Sequence, residues 1–165
     1  MTPEALGDAL RKSDTPHMRN RRRIASLALA TSAPLAVVAL WQVGVIKHLP
    51  DPPLRIFDAE KVNGSAQAYD KLATPDAILG IGSAIATMGL AAMGSPDRAR
   101  TTPILSLAFA AKVFVDAVTA GKLTIDQWTK YRAFCLWCLL SAAATFAMVP
   151  LVIPEALAAS KQLRN

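Results

Sequence analysis

The stretch IASLALATSAPLAVVALWQVGVI, residues 24–46, has no charged side chain and follows directly on Arg21, Arg22 and Arg23. A helix rises about 1.5 Å per residue, so roughly 20 apolar residues cross the hydrocarbon core of a bilayer. Residues 24–46 exceed that length. They are also longer than the roughly 7–15-residue apolar region of a cleaved signal, and no small-x-small exit precedes Lys47. The stretch reads as a retained membrane helix. Residues 133–153 are equally free of charge and long enough to cross. Residues 77–93, rich in Ala and Gly, and residues 104–120, which contain Lys112 and Asp116, fall slightly short and need flanking residues. The expected fold is an all-α membrane protein, a four-transmembrane-helix bundle with a long outer loop between helices 1 and 2. Residues 24–153 form its one domain, between a basic tail at 1–23 and a short tail at 154–165.

Composition agrees. Of 165 residues, 53% are hydrophobic and 18% charged, where a soluble domain carries about 25% charge. That apolar content excludes disorder, and two cysteines exclude a disulfide-rich scaffold. The alternating ten-residue strands of a membrane barrel are absent from the pattern. The net charge of +6 is concentrated at Arg11, Lys12, Arg19 and Arg21 to Arg23. Beside a membrane helix, such a cluster reads as cytoplasmic retention and lipid attraction, with no nucleic-acid partner. Both termini are expected in the cytoplasm, and residues 47–75 and the turn around Lys122 outside.

Punctuation fits this layout. Thr74-Pro75-Asp76 predicts a helix start, with Thr74 as cap and Pro75 in the first turn. Ser95-Pro96-Asp97 breaks the chain between helices 2 and 3, and Pro34 should kink helix 1. Trp41, Trp128 and Tyr131 are placed for an outer aromatic belt. Residues 66–72 can form a short surface helix, with Tyr69 and Leu72 sharing a face that roofs the outer end.

The chemistry is concentrated in Cys135-Leu136-Trp137-Cys138, which holds both cysteines of the chain. Residues at i and i+3 share a helix face, so the sulfurs can meet. A helix N-terminus, with Lys130 and Arg132 just upstream, favours the thiolate, which is the attacking form. On the oxidising side of a membrane, such a dithiol can give up two electrons to a lipid-dissolved quinone. The alternative is a pair of small packing residues. A zinc site lacks further ligands, since His17 and His48 fall on opposite sides, and a c-type haem site is excluded by Leu139 after the second cysteine. Lys112 and Asp116, at i,i+4 within an apolar helix, are either a self-neutralising pair or part of a proton path. Gly80, Gly82, Ser83, Ala84 and Gly89 give helix 2 a small-residue side suited to close packing, or, at Gly80, to a flat ring.

Val62-x-x-Ser65, the run Thr74-Pro75-Asp76-Ala77-Ile78-Leu79-Gly80 and the Cys135-x-x-Cys138 pair together resemble the vitamin K epoxide reductase family, over about residues 24–153. The resemblance implies a membrane thiol–disulfide oxidoreductase of a bacterial inner membrane, linked to ubiquinone or menaquinone and holding no metal. Its partner would be a periplasmic thioredoxin-like thiol protein. Cys138 would be the sulfur nearest the quinone and Cys135 the one that exchanges with the partner. Asp76, Ser65, Gly80 and Trp137 are the implied quinone-site residues, Asp76 standing where the family often has Asn. The family's two loop cysteines fall by register on Ala59 and near Asp51, and no cysteine lies in residues 47–75. A Tyr of the vitamin-K-reducing members is Ala142 here. Two readings stay open: a pair served directly by a partner thiol, or a degenerate accessory subunit of a larger membrane complex.

Overall fold

The computed structural model describes residues 2–164. Among these the chain forms helices, and the one strand-like feature is an isolated parallel bridge between Phe57 and Phe134. In order come α1 (Pro3–Lys12), α2 (Pro16–Gln42), α3 (Ala59–Asn63), two 3-10 turns (Ala66–Tyr69 and Lys71–Ala73), α4 (Asp76–Ala92), α5 (Arg98–Thr101), α6 (Pro103–Asp126), a π turn (Gln127–Tyr131) and α7 (Leu136–Arg164).

The expected spans shift at their ends, for local reasons. α2 begins inside the basic segment because Thr15 caps it, its Oγ1 accepting from Met18 N at 3.3 Å, and Pro16 fits the first turn. It ends at Gln42 although the sequence stays apolar to Ile46. Gly44 takes φ of 80°, Gly44 N donates to Trp41 O at 3.0 Å, and Val45 N donates to Leu40 O at 2.8 Å. This is the paired hydrogen bonding of a left-handed glycine stop. α2 runs on through Pro34 and α7 through Pro150 and Pro154. Thr74 does not cap α4; its hydroxyl turns back to Leu72 O at 3.0 Å. Residues 66–72 form 3-10 turns instead of one helix, and Leu72 points outward, 85% exposed. Of the expected belt residues, Trp128 is exposed and stacks on Phe134. Trp41 and Tyr131 pack inward against a core cluster.

Three helical stretches, Pro16–Gln42, Pro103–Tyr131 and Leu136–Arg164, are long and apolar enough to cross a membrane; α4 is apolar but shorter. Their outward faces carry exposed Leu29, Ile104, Val115, Val118, Phe146 and Leu157. Helices that are apolar inside and out suit lipid rather than water. α2 packs along α4 and α7, and α6 packs along α7, whereas α4 and α6 barely meet. An ideal Cβ on Gly80 would lie 2.8 Å from Leu35 Cδ1, which shows how closely α4 approaches α2; Gly82 and Gly89 face open space. The gap left between α4 and α6 is a cavity.

The two ends of this bundle have separate cores. One, around Ile24, Ala28, Phe109, Val113, Met148 and Val152, is capped by a buried ion cluster. There Glu155 accepts from Arg21 Nε at 2.8 Å, from Arg98 Nε at 2.6 Å and from Ser106 Oγ at 2.7 Å. Arg21 and Arg98, 1% and 0% exposed, thus tie α2 and α5 to α7. The second core, around Val38, Ala59, Val62, Ala77 and Cys135, lies at the opposite end and holds the sulfurs.

Candidate functional site

Cys135 stands one residue ahead of α7, not inside it, and serves as its cap: Cys138 N donates to Cys135 Sγ at 3.2 Å, and Leu139 N donates to Cys135 O at 3.0 Å. A residue in the cap position turns its side chain back over the first-turn amides, which is how an i,i+3 pair straddling the helix start meets. The sulfurs lie 2.6 Å apart as free thiols. Cys135 is 0% exposed and Cys138 half-buried.

The segment before Cys135 is held by the chain between α2 and α3. Phe134 N donates to Ile56 O at 2.8 Å, and Asp58 N donates to Phe134 O at 3.0 Å. Trp137 Nε1 donates to Pro50 O at 2.8 Å. Ala59 N donates to Asp51 Oδ2 at 2.5 Å, so these two positions face one another. The chain is thereby drawn over Cys135.

Three uncharged amides, none of them anticipated from the sequence, surround the pair. Gln127, buried at the start of the π turn, accepts from Cys135 N through Oε1 at 2.8 Å. Asn63, the last residue of α3 and also buried, donates from Nδ2 to Cys135 Sγ at 3.2 Å and accepts through Oδ1 from Cys138 Sγ at 3.4 Å. Gln42, closing α2, donates to Asn63 O at 3.2 Å and to Asp76 Oδ1 at 2.8 Å. Two donors thus converge on the Cys135 sulfur, the amide of Asn63 and the backbone N–H of Cys138. The only sequence cue to these residues is their type, an Asn and two Gln at element ends, which is too common to single them out.

Cys138 opens onto the cavity between α4 and α6, about 190 Å³ in volume. Along α7 its wall continues through Ser141, Ala142, Thr145 and Met148, an i,i+3/i+4 stripe roughly 15 Å long. The expected residues Ser65, Asp76 and Gly80 all line it. Trp137 does not: one residue from Cys138 on the helix, it faces the other way, onto Pro50. The roof is formed by Asn63, Ser65, Gln67 and Ala68 instead of Tyr69 and Leu72. Gln67 fastens it, donating to Asp126 Oδ2 at 2.9 Å and accepting from Tyr131 OH at 3.1 Å.

Deeper in the cavity, Lys112 and Asp116 form an ion pair. Lys112 Nζ also donates to Ser83 O at 2.6 Å and to Thr87 Oγ1 at 2.7 Å, while Ser83 Oγ donates to Asp116 Oδ1 at 2.8 Å. The pair is satisfied within itself and straps α6 to α4 across the gap. Asp116 still lines the cavity. No group of three or more His, Cys, Asp or Glu suited to a metal ion occurs among the described residues.

The sequence model of the vitamin K epoxide reductase family matches residues 23–153, which span both cysteines, the cavity and the helices around it. No curated protein matches the chain at a significant level.

Proposed function

The chain belongs to the vitamin K epoxide reductase family, and on that premise we propose that Cys135 and Cys138 are the dithiol through which it passes electrons to a quinone. It is an integral membrane oxidoreductase of a family linked to quinones and to thioredoxin-like thiol partners. The observation that carries the reading is the position of Cys138: its sulfur opens onto an elongated, largely apolar cavity, with Cys135 Sγ directly behind it at 2.6 Å. A flat ring with an apolar tail suits that lining, where Leu35, Val38, Ala84, Leu123 and Met148 supply apolar surface between the short hydroxyls of Thr31, Thr87 and Ser141. Asp76, Ser65 and Gly80 are the residues of the chain that would bound the ring near the sulfur.

In this reading α4 is a fourth span, both termini lie in the cytoplasm, and the sulfurs lie at the outer leaflet. The reaction is balanced. The thiols of Cys135 and Cys138 lose two protons and two electrons as an S–S bond forms between them. The quinone accepts these and leaves as hydroquinone. A dithiol of a thioredoxin-like partner then restores both thiols and becomes a disulfide itself. Ubiquinone and menaquinone both suit this chemistry.

The test is direct. Reduced, detergent-purified protein is mixed with a short-chain quinone, and free thiols are counted by alkylation and mass. Both thiols should disappear with one hydroquinone formed per chain, and Cys135→Ser or Cys138→Ser should reduce turnover to background. Thiols that persist with excess quinone would sink the proposal. The sealing of Cys135, 0% exposed beneath residues 50–58, favours a second reading, an accessory subunit whose cysteines only pack. Full cellular function of a Cys135→Ala, Cys138→Ala double variant would select it.

A further inference from the structure

Among the described residues, Asn63 is the side chain that hydrogen-bonds to both sulfurs, and its orientation is fixed from outside the pair. Nδ2 donates to Ala59 O at 2.7 Å within α3. A flipped amide would put its oxygen against that carbonyl, acceptor against acceptor. The same Nδ2 must therefore face Cys135 Sγ, at 3.2 Å, and Oδ1 must face Cys138 Sγ, at 3.4 Å. The backbone is secured as well. Gln42 holds Asn63 O, and Asp58 Oδ1 caps α3 by accepting from Lys61 N at 2.9 Å.

From this geometry we propose, on the basis of the quinone-linked reading above, that Asn63 is a positioning residue that makes the two thiols unequal. Its N–H makes Cys135 the sulfur that accepts, and its C=O makes Cys138 the sulfur that keeps its proton and donates. Cys135, the electron-rich member, supplies the electron pair of the new S–S bond. Cys138, the member on the cavity, passes its proton and the electron pair to the quinone, and the second proton of the hydroquinone is the one Cys135 loses as the S–S bond forms. An amide serves here because it carries both a donor and an acceptor and no charge. It can remain in place while the sulfurs change between thiol, thiolate and disulfide.

Other groups facing the pair would work against a thiolate at Cys135. Asp51 lies on the loop side, and Asp76, at the start of α4, faces Cys138. Gln127, from the end of α6, is uncharged and bonds the backbone of Cys135. Among the described groups around the sulfurs, Asn63 is thus the side chain outside the pair that donates to Cys135 Sγ.

The experiment compares the full-length protein with Asn63→Leu and Asn63→Asp in detergent. Because Cys135 and Cys138 are its only cysteines, thiolate absorbance near 240 nm as a function of pH reads the pair alone, once the tyrosine contribution is subtracted. Asn63→Asp replaces the donor with an acceptor. It should lower the thiolate population at a given pH roughly tenfold and move the pH profile of quinone reduction upward by the same factor. Asn63→Leu should shift both in the same direction by less, and its rate should recover as the pH is raised. A purely structural role would lower the melting temperature and leave both profiles in place.

Titrations of the two variants that superimpose on the parent would overturn the assignment. If Asn63→Asp does not fold, Asn63→Leu decides alone. A shifted titration in a protein whose thiols ignore quinone would leave Asn63 as assigned and refute the quinone reading. An unshifted titration with normal quinone response would do the reverse.

Discussion

The two ends of the bundle solve the problem of burying polar groups in opposite ways. Roughly 25 Å along α7 from Cys138, Glu155 sits between Arg21 and Arg98, three ionised side chains almost wholly out of solvent. The side chains hydrogen-bonded to Cys135 and Cys138 from outside the pair are the neutral amides of Asn63 and Gln127, and Gln42 holds Asn63 from behind. A buried ion cluster tolerates no change in its members, since removing one leaves a charge without a partner. Neutral amides donate and accept at modest cost in either state of the group they touch. The closed end is a fastener, and the sulfur end, in the proposed function, is where two atoms change oxidation state among uncharged hydrogen-bonding partners.

Glu155→Ala strands two buried guanidiniums and should cost about 3–5 kcal/mol, seen as a large drop in the thermal unfolding temperature in detergent. Well below that temperature the thiol titration and quinone rate should match the parent. If they change as much as stability does, the two ends are not independent.

A smaller effect is expected at the strap between them. Lys112→Met leaves Asp116 unpaired at the cavity wall, and about 1–3 kcal/mol should be lost, less than at Glu155 because about a fifth of each side chain is exposed. The double variant Lys112→Met, Asp116→Leu should recover most of it. A double variant that is stable but slow in quinone reduction would show that the pair takes part in proton movement as well as in strapping α4 to α6.

The smallest change is Gly80→Ala. The new methyl meets the flexible end of Leu35 at 2.8 Å and also narrows the cavity. We expect about 1 kcal/mol of destabilisation and a severalfold higher KM for quinone with little change in kcat. An unchanged KM would mean that the ring does not lie against this stretch of α4.

Much of this was legible in the chain itself. The charge-free runs dictated helices because backbone groups in lipid must bond within their own segment. Cys135-x-x-Cys138 was conspicuous as the whole sulfur content of the protein. The early end of α2 was not read: residues 24–46 looked like one span, and Gly44, at φ of 80°, stops the helix. Pairings across long separations were not legible. Arg21 read as one of the basic residues that retain the N-terminal tail, because nothing local marks an acid 134 residues away, and the same acid is 57 residues from Arg98.

What the sequence by itself determined was the set of apolar helices and the presence of one dithiol at the mouth of the last, since both follow from composition and from contacts three or four residues apart. Only the tertiary structure decided that α4 and α6 stand apart to leave a cavity, that Cys138 opens onto it while Cys135 is sealed, and that Asn63 lies between the sulfurs. Those outcomes depend on where α3, α4 and α6 come to rest against α7. That placement is set by packing and hydrogen bonds between residues scores of positions apart, and no local pattern encodes them.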